Sequence, residues 1–79
     1  MISISKYDPE VDAIYFKLKD NTVLESQEIT KGIVADYDDD NNIVGIELVG
    51  LKNITLEALN RLESSISSGD MEVILDHLL

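Results

Sequence analysis

No cysteine occurs anywhere in the 79 residues of the chain. That excludes a disulfide staple and a thiolate metal site. Positive charge is also scarce: six lysines and arginines stand against sixteen aspartates and glutamates, leaving a net charge of −10. Nucleic-acid affinity comes largely from basic side chains displacing counterions, so a DNA or RNA partner is not expected. Anionic membrane surfaces are disfavoured for the same reason. No apolar run approaches the roughly 18 residues of a membrane span. The opening "MISISKYDPEVDAIYF" lacks the basic region and apolar run of a signal peptide, so a cytoplasmic location is expected.

The catalytic inventory is equally thin. His77 is the single histidine; it falls near a predicted helix C-terminus, where a cation is favourable. A nucleophilic triad needs three placed groups, and no serine sits in a G-x-S-x-G context. Ser64, Ser65, Ser67 and Ser68 read as helix-end and loop residues. Neither G-x-x-x-x-G-K-[ST] nor G-x-G-x-x-G is present, which removes both common nucleotide cradles. The sequence therefore assigns no catalytic residue, no cofactor and no metal ligand, and a non-enzymatic role is expected.

What is present describes one small domain, residues 1–79. A chain this short builds a thin core, and without staples it often gains stability by oligomerising. A homodimer is one expectation; a basic protein partner, drawn by the negative charge, is the other.

The hydrophobic period changes once, near residue 50. Before it the period is two. Ile2 and Ile4 alternate with serines; Ile14, Phe16 and Leu18 alternate with Tyr15 and Lys17. Half-buried strands read this way. Between them "YDPEVD" supplies Pro9 to preset a turn and Asp8 to fold its carboxylate onto the amides that follow, so 2–7 and 13–19 form a predicted hairpin. Turn-forming roles for Asp8 and Asp12 are preferred to a carboxylate pair for acid–base work, because such a pair needs a dry pocket. Tyr7, Tyr15, Lys17 and Lys19 share the expected outer face.

"TVLESQEI", 22–29, reads as an edge strand with a bulge, its charges protecting the edge. Gly32 permits a bend, and "IVADY" and "IVGIELV" give two more strands. After Gly50 the period becomes helical. Leu56, Leu59, Leu62 and Ile66 mark one helix with Thr55 as N-cap and Glu57 in the first turn. "SSG", 67–69, should end it, and Asp70 should cap a second helix with Met71, Ile74, Leu75 and Leu78 on its apolar stripe.

The stretch "DYDDDNNIVGIE", 36–47, raises a sharper question. On the calcium-loop template Asp36, Asp38 and Asp40 fall at positions 1, 3 and 5 and Glu47 at position 12, but Asn41 stands where the sharp turn wants glycine. The flanks are rich in β-branched residues and read as strands, not as the helices of an EF-hand. A hairpin with its two-residue turn at Asp40–Asn41 pairs Tyr37 with Val44, Ala35 with Ile46 and Ile33 with Leu48 on one apolar face. Val34 with Glu47, and Asp36 with Gly45, then fall on the other. The hairpin is the preferred reading. The acidic sheet face and turn around Asp36, Asp38 and Glu47, with Asp39 and Asp40 nearby at the tip, remain as the alternative, a divalent-cation site.

"YDPEVDAIYFKL" and "GIVADYDDDNNIVGIEL" resemble a known family, the uncharacterised YuzE-like proteins or domain of unknown function 2283. Its pattern is Y-D-P-x-x-D-x-L-Y, a variable stretch, then G-x-x-x-D-Y-D-x-x-G-x-x-V-G-I-E. Tyr7, Asp8, Pro9, Asp12 and Tyr15 match the first part. Gly32, Asp36, Tyr37, Asp38, Val44, Gly45, Ile46 and Glu47 match the second, with Asn41 replacing the turn glycine. The resemblance covers about residues 3–50. It implies a small prokaryotic protein with a β-meander and no established activity, and it associates such proteins with small toxin-like neighbours, hence an antitoxin-like role.

Together these readings predict an α+β domain: an antiparallel β-meander of four to five strands, residues 1–50, with two C-terminal helices, 51–79, packed on one face. The expected core is Ile4, Ile14, Phe16, Leu18, Ile33, Ala35, Tyr37, Val44, Ile46, Leu48, Leu59 and Leu62. The expected function is a non-enzymatic acidic protein–protein interaction module.

Overall fold

A computed structural model describes residues 2–79; Met1, at the head of the 1–79 domain read from the sequence, lies outside them. Five strands come first: β1 (Ser3–Ile4), β2 (Ala13–Lys17), β3 (Glu25–Thr30), β4 (Ile33–Tyr37) and β5 (Ile43–Val49). A 3₁₀ turn (Leu51–Asn53) leads into helices α1 (Leu56–Glu63) and α2 (Ser68–Leu78). The strands form one antiparallel sheet in the order β1-β2-β5-β4-β3. The α+β architecture is the expected one.

The order adds something that the sequence reading lacks. β3, β4 and β5 run as a meander, while the β1–β2 hairpin joins the far side of β5. Composition explains the arrangement. "IVGIELV" is almost continuously apolar and suits the centre of the sheet, whereas "ESQEIT" presents glutamates and suits an edge. The expected bulge in the edge strand lies between Glu28 and Thr30.

Alternate residues of the three middle strands build the core. Ile14, Phe16 and Leu18, Ile46 and Leu48, and Ile33 and Ala35 meet Ala58 and Leu62 of α1 and Met71 and Ile74 of α2. Burying Leu62 and Ile74 completely contributes roughly 1.5–3 kcal/mol each. The second helix is thus taken up by the chain's own sheet. Three expected positions move. Ile4 is 38% exposed, because β1 is a two-residue edge strand with little to pack on. Leu56 is 81% exposed, because it is the first residue of α1 and points away from the sheet. Ala58 is the deeper contact and Leu59 only half-buried, a small rotation of the helix from the expected face. Tyr37 is half-buried against the core, and Val44 is buried but stands outside the main cluster.

The caps follow one expectation and correct another. Thr55 Oγ1 accepts from Ala58 N–H at 3.1 Å, as an N-cap should. α2 begins earlier than expected: Ser67 is its cap, accepting from Asp70 N–H at 3.1 Å, and Gly69 lies inside the first turn. A serine hydroxyl at that position satisfies a free helix amide as well as an aspartate would, and Asp70 keeps its favourable first-turn place.

The acidic hairpin is present, with a different turn. Asn41 N–H donates to Asp38 O at 3.1 Å and Asp38 N–H to Asn42 O at 3.0 Å, so the loop is three residues, Asp39–Asn41. Asn41 takes the left-handed conformation (φ 64°), while Asp40 does not. This is the three-residue hairpin in which a single αL residue re-aims the chain. Ile33–Leu48, Val34–Glu47, Ala35–Ile46 and Asp36–Gly45 pair as expected; Tyr37 faces Ile43 rather than Val44. The longer loop shifts the pairing by one, and Val44 absorbs the shift as a bulge whose carbonyl accepts from Leu18 N–H (2.9 Å) and Lys19 N–H (3.2 Å).

Candidate functional site

The helices cover one face of the sheet. On the other, the registers set residues abreast in rows, because side chains alternate across the pleat. One row is Lys17, Gly45, Asp36 and Ser26; the next is Tyr15, Glu47, Val34 and Glu28. Tyr15 leans across the first row. Its hydroxyl donates to Asp36 Oδ2 at 2.7 Å, and Ser26 Oγ donates to Asp36 Oδ1 at 2.5 Å. The aspartate therefore bridges a tyrosine two strands to one side and a serine on the neighbouring strand to the other. Burial, with the bond to Asp36 second, pushes the Tyr15 phenol up to about 12, so it remains a proton donor at neutral pH.

Gly45 makes this bridge possible. A Cβ there would overlap Tyr15 Oη and lie 2.5 Å from its Cζ. A glycine in mid-strand signals a close approach, and here the approaching group is the tyrosine ring. Sequence reasoning set Asp36 opposite Gly45 and Tyr15 on the outer face but missed the bond that joins them. Gly32 has a related role at the β3–β4 turn: its φ is 86°, and a Cβ would lie 2.8 Å from Ile54 Cδ1 and 2.9 Å from Val49 O.

The other aspartates of the two motifs hold loops. Asp8 Oδ1 accepts from Glu10 N–H at 3.0 Å, the turn role expected of it. Asp12 is left-handed (φ 53°); its carbonyl accepts from Gly50 and Leu51 N–H and its Oδ2 from Lys52 N–H at 2.9 Å, while Oδ1 takes the Tyr7 hydroxyl. It thereby fastens the first hairpin to the 3₁₀ turn. The Tyr7 hydroxyl, with the Lys52 amide next, holds the Asp12 carboxyl below the usual range. Asp38 is buried, 3% exposed. Asn21 Nδ2 donates to its Oδ2 (2.7 Å), and Asp40 N–H (3.0 Å) and Asn42 N–H (2.8 Å) to its Oδ1. Asn21, then those amides, lower its pKa.

The structure divides the cation set read from the sequence. Asp36, Asp38 and Glu47 do not converge. Among the described residues, the acidic trio whose oxygens lie within 4.8 Å of one another is Asp38, Asp39 and Asp40, the tip part of that set. Asp38 in that trio already serves three donors of its own chain.

Glu47 differs from its companions. It is half-buried on the centre strand and has no hydrogen bond or ion pair among the described residues. Beside its row lies a shallow groove of about 310 Å³ lined by Val34, Val49, Ile54, Gly32, Glu28 and Lys31, with Asn53 and Gly50 at one end. Lys17, on the same outer face, forms an exposed pair with Asp20 at 3.2 Å, worth little in water, and Lys6 lines a second shallow hollow with Asp8, Tyr15 and Glu47. His77 is an exposed residue of the last turn of α2, with its ring edge-on to Phe16.

Among the described residues no helix is long and apolar enough to cross a membrane. No curated protein and no solved structure matches the chain significantly. The sequence profile of one family, a protein of unknown function (DUF2283), matches residues 5–52. That span holds β2 to β5, the Tyr15–Asp36 bridge and both aspartate-held loops. It covers more than half of the chain, which therefore belongs to the DUF2283 family.

Proposed function

We propose that the protein is a non-enzymatic acidic module that works by occupying the basic surface of a partner protein, in the manner of an antitoxin. The observation that carries this reading is the uncompensated charge. Sixteen acidic side chains give a net −10, yet among the described residues the ion pairs amount to one, Lys17–Asp20. The carboxylates that are hydrogen-bonded, Asp8, Asp12, Asp36 and Asp38, are held by neutral donors and keep their loops and the open face in shape. The rest project a negative field that speeds encounter with a basic partner and excludes acidic ones. We place such a complex before a homodimer, because two copies at −10 repel each other.

Co-purification from the native cell tests the reading, followed by reconstitution with the partner found. A stoichiometric complex with a basic protein is expected. Its affinity should fall as ionic strength rises from about 0.05 M to about 0.5 M, where the screening length shrinks several-fold. Co-expression should also relieve any growth arrest that the partner causes. A complex insensitive to salt, or a protein that binds no basic partner even at low ionic strength, would count against it.

A further inference from the structure

The carboxylates at the matched positions of the two family motifs divide into those the fold uses and one it leaves over. Asp8, Asp12, Asp36 and Asp38 each accept bonds from turn amides or neighbouring hydroxyls. Glu47 accepts none among the described residues, although it sits half-buried in the middle of the central strand. Its cross-strand neighbours are Tyr15 and Val34; Val49 lies two residues further on the same face, and Glu28 closes the row. The result is a carboxylate set into an apolar floor, with a second carboxylate at the rim of the adjoining groove.

We propose that this open sheet face, centred on Glu47, docks a lysine- or arginine-bearing segment of a partner protein. The proposal rests on the acidic-module reading and names the place where that module makes contact. The choice of occupant follows from charge and shape. A basic side chain has an apolar stem, which fits against Val34 and Val49, and a cationic head, which meets Glu47. Lys31 lines the groove beside Glu28 and repels a cationic head there; Glu47 borders the neighbouring hollow, where Asp8 adds a second carboxylate against Lys6, and neither lysine is paired with a carboxylate within 4 Å among the described residues. An anionic ligand would be repelled. A bare divalent cation would find too few oxygens, since calcium takes six to eight. A second copy of the chain would bring its own excess of carboxylates.

The test is an amide NMR titration of the full chain with a synthetic peptide of alternating arginine and valine, compared with a glutamate–valine peptide. Three proteins are used: the parent, Glu47→Gln, and Asp39→Asn with Asp40→Asn. Because the Glu47 carboxylate makes no bond among the described residues, Glu47→Gln should keep the parent's melting temperature, which separates lost binding from lost folding. The basic peptide is expected to shift the amides of Val34, Glu47 and Val49. Glu47→Gln should weaken binding about threefold to tenfold. The double variant removes more charge but should weaken it less. Shifts centred on the 38–40 tip or the helices, with Glu47→Gln unaffected, would overturn this site and leave the acidic module standing. No binding at low salt would overturn both. Concentration-dependent shifts at Val34, Glu47 and Val49 without peptide would assign the face to a second copy and overturn the proposal.

Discussion

Gly45→Ala is the substitution that tests the outer face most directly. In an ordinary strand, replacing glycine with alanine favours the fold by about 0.5–1 kcal/mol, because the unfolded chain loses freedom. Here the new Cβ would collide with the Tyr15 hydroxyl and Cζ. Those atoms are the far end of the side chain, so the ring can swing away. In doing so it gives up its bond to Asp36 and its contact with the strand beneath. A hydrogen bond to a charged group contributes about 1.5–3 kcal/mol, and in a site half open to water the lower end applies. Re-exposing some 40 Å² of ring adds about 1 kcal/mol at 25 cal/mol per Å². After the glycine offset, a net loss of about 1.5–2 kcal/mol remains. For a domain of this size that lowers the melting temperature by roughly 6–16 °C. The control is a double-mutant cycle with Tyr15→Ala, read by thermal or urea unfolding. In the Tyr15→Ala background the three atoms nearest position 45 are gone, so Gly45→Ala should be neutral or slightly stabilising. An equal loss in both backgrounds would refute the account of why a glycine stands there.

Further outcomes follow from the same geometry. The raised pKa of Tyr15 makes its contribution complete below the unfolded value near 10 and lost as pH climbs towards about 12; thermal melts across that window should decline, and Tyr15→Phe should flatten most of the decline. Asp38 and Asp12 are shifted the other way, so their contribution is complete above about pH 4 and disappears as pH falls below it. Acid titration followed by circular dichroism should show Asp38→Asn less stable than the parent at neutral pH and less sensitive to acid. Gly69 lies in the first turn of α2 with open space where a Cβ would go, so Gly69→Ala should raise stability by about 0.5–1 kcal/mol in urea unfolding. A loss there would mean that the turn needs glycine's backbone freedom.

Much of the fold is legible in residue order because its causes are local. The alternation in Ile14–Phe16–Leu18 and in "IVADY" fixes which face is buried, and four of the five expected hairpin pairs follow from it. The departures come from effects that no short pattern holds. Three loop residues instead of two displace Tyr37 by one position, and the decision rests on Asn41 alone adopting positive φ. The place of the first hairpin beside β5 is a long-range choice, visible afterwards in the apolar run of β5 but not determined by it. In the candidate site, Tyr15, Asp36, Gly45 and Glu47 could all be named from the motifs. That the first three act as one bridge, and that Glu47 stands apart, depends on a ring crossing between strands more than twenty residues apart in sequence.

The stretch that marks the family ends at residue 52, yet Leu62 and Ile74 are fully enclosed against the sheet. Recognition and folding thus have different boundaries. Stripped of its last two helices, the strand layer would turn Phe16, Ile33, Ile46 and Leu48 towards water, an oily plane of the kind that draws chains into aggregates. The tail need only deliver a few bulky hydrocarbon groups at the right rotation, a requirement many sequences can meet. That a family pattern can stop at residue 52 is consistent with how little the tail has to specify to remain indispensable.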